Sequence, residues 1–150
     1  MNLDLSHKRA IVCGASKGIG RATALELASL GASVTIIARS ADKLEAVRSQ
    51  MKPGDHHCVA ADASNPDSLK SIIEGHVSKH GPFHILINNS GGPPAGPVHT
   101  AKTEDFIAAF TQHLLANHIM MQAVLEGMKA ENYGRIINII STSVKMPLKG

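Results

Sequence analysis

Three glycines stand at the spacing Gly14-x-x-x-Gly18-x-Gly20, in the loop Gly14-Ala15-Ser16-Lys17-Gly18-Ile19-Gly20. The loop follows a short apolar run and leads into a stretch with helical apolar spacing. Such a loop suits an anion, typically a pyrophosphate. Backbone N–H groups and the positive end of the helix dipole converge on it, and glycine leaves no Cβ to block close approach. The spacing is GxxxGxG rather than GxGxxG, and the competing reading is an ordinary strand-to-helix turn.

A second strand ends at Ala38-Arg39-Ser40. In a doubly wound dinucleotide-binding sheet the adenosine ribose lies at this place. An acidic residue there bonds the 2′-hydroxyl of NAD, and a basic one neutralises the 2′-phosphate of NADP. Arg39, with Lys17 in the glycine loop, offers two cations and a planar guanidinium fork. NADP(H) is the expected cofactor, against the alternative that both are solvated surface charges. Other strand ends carry Asp62-Ala63, Asn88-Asn89-Ser90-Gly91 and Ser141. Taken singly, Asp62 reads as a helix cap with Ser64, the asparagine pair as a turn, and Ser141 as a loop residue.

The elements that must position these residues follow from periodicity. Short apolar runs over residues 8–13, 33–38, 56–61, 83–87 and 134–140 predict strands. Helical spacing predicts helices over 19–30, 41–51, from Ser64 or Asn65 before Pro66 to about Lys79, and 103–130. Three prolines and three glycines in the run from Gly91 to Pro97 place a loop over residues 91–100. Strands alternating with helices at βαβ spacing give an α/β, Rossmann-type doubly wound parallel sheet with helices on both faces. The 103–130 helix is too apolar for one exposed face, which predicts packing against another subunit.

Bulk properties narrow the function. At 150 residues, residues 1–150 form one domain with a real core. The net charge is +3, but the basic residues are scattered, so no nucleic-acid partner is expected. With no long apolar stretch, no membrane partner is expected and the protein is placed in the cytoplasm. Cys13 and Cys58 lie in predicted strands without CxxC spacing and read as small apolar residues. There are nine histidines, but His56 and His57 face opposite sides of a strand and the others are spread out, so no metal is expected.

The glycine loop, Asp62, Asn88-Asn89-Ser90-Gly91 and Gly134-Arg135-Ile136-Ile137-Asn138 leading to Ser141 together resemble the short-chain dehydrogenase/reductase family. The resemblance covers nearly the whole chain and is nearest to the 3-oxoacyl-acyl-carrier-protein reductase type. It implies that Asp62 reaches the adenine amino group while the Ala63 N–H holds the ring, and that Asn88 lines the cofactor ribose and steadies the sheet. It makes Ser141 the catalytic serine that bonds the substrate carbonyl. It implies a tyrosine acid/base with a lysine four residues later, and a tetramer built on the long helix. Tyr133 has no lysine at that spacing and is expected to be structural; the chain is read as the N-terminal portion of a longer one.

The chain departs from the family pattern in three places. His113 falls where a tetrad asparagine is expected, with Asn117 one helical turn along the same face. Cys13 replaces the usual threonine, and Ser90 the common alanine before glycine. The function expected is an NADP(H)-dependent oxidoreductase that transfers hydride between nicotinamide and a small carbonyl or secondary-alcohol substrate, a 3-oxoacyl thioester included. The alternatives are a non-catalytic dinucleotide-binding module or sensor and a methyltransferase, which also carries glycines after its first strand.

Overall fold

A computed structural model describes residues 3–93 and 96–146. Residues 94 and 95 of the expected loop and the last four residues therefore lie outside the described part. Five parallel strands, β1 (Arg9–Cys13), β2 (Ser33–Ala38), β3 (His57–Ala60), β4 (Ile85–Asn88) and β5 (Arg135–Asn138), lie in the order β3-β2-β1-β4-β5. The chain builds outward from β1 to β3, then returns across the sheet to place β4 on the other side of β1. This reversal opens a crevice at the carboxyl ends of β1 and β4, where open α/β sheets bind their ligands.

Strand alternation sends the core residues to two faces. Ala10, Val12, Val34, Ile36, Ile85 and Ile87 pack under α1 (Gly18–Ser29) and α2 (Ala41–Arg48). Ile11, Ile37, Val59 and Leu86 pack under α3 (Pro66–His80) and the later helix. The expected α/β doubly wound layering is present. Local chemistry sets the helix starts: Ser40 Oγ accepts from Lys43 N–H, and Asn65 Oδ1 accepts from Ser68 N–H just before Pro66. Asn65 rather than Ser64 is therefore the cap of α3.

Some boundaries differ from expectation. α2 stops at Arg48, and the buried Met51 is reached through turns in which Gln50 and Met51 N–H bond the Val47 and Arg48 carbonyls. The single helix expected over 103–130 is α4 (Thr103–Phe110), a π turn (Thr111–Leu115) and α5 (Ala116–Ala130). β5 ends at Asn138 and lies at an edge of the sheet, leaving Ile137 48% exposed. Two cations lie over the Tyr133 ring, Lys8 Nζ at 4.1 Å and the Arg135 guanidinium at 4.8 Å from its centre.

At the outer edge of β3 the fold gathers three histidines that are distant in sequence. The His57 and His80 rings lie tilted at 4.1 Å, those of His80 and His76 tilted at 4.6 Å, and His76 stacks on Phe83 at 5.6 Å. His76 Nε2 lies 2.9 Å from the buried Thr35 hydroxyl. Desolvation, with the nearby His80, His57 and Lys79 charges, lowers the His76 pKa from 6.5 to about 4.

Acid is expected to loosen this edge. Below pH 6.5 the unfolded chain takes up a proton that the folded ring refuses, so stability falls as pH drops from about 6.5 and the loss is complete near 4. The ring is partly exposed, and solvent screening holds the loss to about 1–2 kcal/mol. Urea unfolding at pH 7, 5 and 4 checks this: His76→Gln should flatten the profile, and an unchanged slope would remove His76 as its cause.

Candidate functional site

A cleft of about 480 Å3 opens where the strands end. Its floor is the glycine loop. Gly14 and Gly18 have φ of +61° and +57°, a left-handed backbone that favours glycine. Gly20 is buried beneath Gly14, and a Cβ there would lie 2.8 Å from the Gly14 carbonyl carbon and closer still to its oxygen. α1, unlike α2 and α3, has no side-chain cap and no acidic residue in its first turn. Its first N–H groups and positive dipole end are thus left to a ligand.

Asn89 ties this loop to β4. Its Nδ2 donates to the Cys13 and Gly14 carbonyls, both at 3.4 Å, and a Cβ on Gly14 would lie 2.6 Å from the Asn89 carbonyl oxygen. Asn88, one residue earlier, faces the other way. Its side chain is fully buried, donating to Asn138 Oδ1 at 2.9 Å and lying 3.8 Å from Cys13 Sγ. Of the asparagine pair, Asn89 lines the cleft while the Asn88 side chain is held within the sheet. Burial pushes the Cys13 thiol up to about 12, so it behaves as an apolar wall residue.

Arg39 and Lys17 both line the cleft, as the sequence suggested, and Lys43 in the first turn of α2 joins them. Asp62 and Ala63 form the facing wall with Ser64. Asp62 Oδ1 accepts from the Ser64 N–H at 2.9 Å; that bond first, and the Arg39 charge after it, keep the carboxyl below its ordinary range. Ser90 and Gly91 close the side below the π turn, facing Gln112, Ala116 and Asn117. Ser90 Oγ lies 2.6 Å from His113 Nδ1, and Gln112 Nε2 donates to the Gly91 carbonyl at 3.2 Å. A second groove, of about 570 Å3, runs over the histidine column. It has neither a glycine loop nor a helix start, so the strand-end cleft is the candidate site.

A family profile described as short chain dehydrogenase matches residues 8–150. The chain belongs to the short chain dehydrogenase family. Among its relatives, an NADPH-dependent reductase, BacG, of Bacillus subtilis is 33% identical over 147 residues, covering 95% of this chain and 57% of that protein. The 3-oxoacyl-[acyl-carrier-protein] reductase FabG of Pseudomonas aeruginosa is 34% identical over 140 residues, covering 91% of this chain and 56% of the relative. A crystal structure of a metagenomic short-chain oxidoreductase in complex with NADP superposes with a TM-score of 0.88 at 38% identity, covering 96% of this chain and 66% of that one. The chain thus spans a little over half the length of the two curated relatives. Membership of the short chain dehydrogenase family sets aside the methyltransferase alternative.

Ser141 lies on an exposed segment after β5 and is not among the cleft-lining residues. Its Oγ accepts from the Ser143 N–H at 3.1 Å and from the Ser143 hydroxyl at 2.7 Å, capping the short turn Thr142–Val144. Sequence reasoning missed Lys43, Asn89 and Gln112. Lys43 had a legible signal, since it stands in the first helical turn after Arg39; the other two depend on contacts between segments distant in sequence.

Proposed function

We propose that this chain binds NADP(H) in the strand-end cleft and is the cofactor-holding part of an oxidoreductase acting on a carbonyl or secondary alcohol, with 3-oxoacyl thioesters as one candidate class. The observation that carries the reading is the set of three cations, Arg39, Lys17 and Lys43, lining one cleft with the uncapped start of α1. The close packing of Gly14 and Gly20 leaves backbone rather than side chains facing the ligand, which fits a pyrophosphate. The names of the NADPH-dependent relative and of the NADP complex support the same choice.

In this reading Gly14, Ser16, Gly18, Ile19 and Gly20 hold the pyrophosphate, and Lys17 and Arg39 meet the 2′-phosphate with help from Lys43. Asp62 and the Ala63 N–H orient the adenine. Asn88 steadies the sheet behind the cleft, Ser90 lines its far side, and Ser141 donates to the substrate carbonyl oxygen. The nicotinamide, when bound, supplies the hydride chemistry. The protein is proposed to work in the cytoplasm as a homo-oligomer, a tetramer covering the exposed Phe106, Ile107, Phe110 and Leu114; sedimentation as a monomer would refute the assembly.

Equilibrium titration tests the cofactor. NADPH should bind more tightly than NADH, and Arg39→Ala should weaken NADPH binding about tenfold while leaving NADH little changed, the effect of losing one charge-assisted pair. Equal affinities for the two nucleotides would defeat the assignment. Turnover of simple ketones or 3-oxoacyl thioesters by the intact protein separates an enzyme from a binding module.

A further inference from the structure

Two of the positions at which the chain leaves the family pattern touch each other. Ser90 stands in place of the common alanine and His113 in place of the expected asparagine, and their side chains meet at 2.6 Å. They come from the loop after β4 and from the π turn. The next pair repeats the link, with Gln112 donating to the Gly91 carbonyl. Two consecutive residues of one element therefore grip two consecutive residues of the other. Isolated π turns within α-helices recur at functional sites.

Ser90, Gly91 and Gln112 line the cleft, whereas His113 does not. Among the described residues, no group hydrogen-bonds the buried His113 Nε2. A lone serine hydroxyl rotates freely, but one held by an imidazole nitrogen does not. If Nδ1 accepts, Ser90 turns its lone pairs to the cleft; if Nδ1 donates, the Ser90 O–H is free to donate into it.

We infer that Ser90 and His113 act as one unit, in which His113 is a positioning residue that orients the Ser90 hydroxyl toward a sugar hydroxyl of the nucleotide in the cleft. This rests on the NADP(H) reading above. The pair is a local replacement for the usual alanine and asparagine, and its two members are useful only together.

The test is a double-variant cycle on NADPH affinity in the full chain, followed by the fluorescence of the reduced nicotinamide, with thermal melting alongside. Ser90→Ala and His113→Asn should each weaken binding about five- to tenfold, and the S90A/H113N double variant should bind no worse than the weaker single one. Ser90→Thr, which keeps the hydroxyl, should stay within about twofold of the unmodified chain. Melting midpoints should move by no more than a few degrees. Unchanged affinities in the single variants, or effects that multiply in the double, overturn the inference. If His113→Asn does not fold, Ser90→Ala against Ser90→Thr decides. Failure of the unmodified chain to bind NADPH overturns the cofactor assignment first, and the pair's role with it.

Discussion

Gly20→Ala is expected to lower nucleotide affinity by more than about a hundredfold and to reduce the melting temperature sharply. The added methyl would press on the Gly14 carbonyl, which is backbone, and on Asn89 Nδ2 at 2.9 Å. Neither neighbour can yield cheaply. Gly14 already holds φ +61°, and Asn89 is tied to the Cys13 and Gly14 carbonyls. Relief must come from moving α1 away from β1, which spoils the convergence of N–H groups that an anion needs. Calorimetric titration with NADPH and a melting curve check it. Gly18→Ala is the control: a Cβ there meets nothing within 4 Å, so its cost is confined to the left-handed backbone. Equal losses in the two variants would show that contact with Gly14 is not the cause.

If the intact protein reduces a carbonyl as proposed, Ser141→Ala is expected to lower kcat by about a hundredfold, with KM and NADPH affinity little changed. Ser143 supplies two donors to Ser141 Oγ, occupying its lone pairs and leaving its own proton free to donate. A donor aimed at a carbonyl oxygen matters most as charge builds there, which is why the loss should fall on kcat rather than on binding. An unchanged kcat would dismiss Ser141 from the reaction. Ser143→Ala offers a graded comparison, because it removes only the hydroxyl donor.

What could be read from the residues was what local chemistry controls. The glycine loop, the proline start of α3 and the buried runs of β1, β2 and β4 each carry their signal within a few positions, and each lies within two residues of where the pattern puts it. What escaped depends on register between distant segments. Nothing local tells which of Asn88 and Asn89 faces the cleft, since a one-residue change of phase exchanges them. The His57, His76 and His80 column was hidden because β3 and α3 are brought side by side only by the crossover. The Ser90 to His113 contact spans 23 residues and relies on a π turn that apolar spacing alone did not predict.

That π turn bears on how the segment can vary in length. A regular helix advances about 100° per residue, so the phase of one half dictates the phase of the other. Here the break lets α4 turn Phe106 and Phe110 outward while α5 sends Ala116, Met120, Val124 and Met128 inward. Losing one residue from Thr111–Leu115 would swing one half around relative to the other, exposing the core stripe or burying the outward one. Insertions and deletions should be excluded from these five positions.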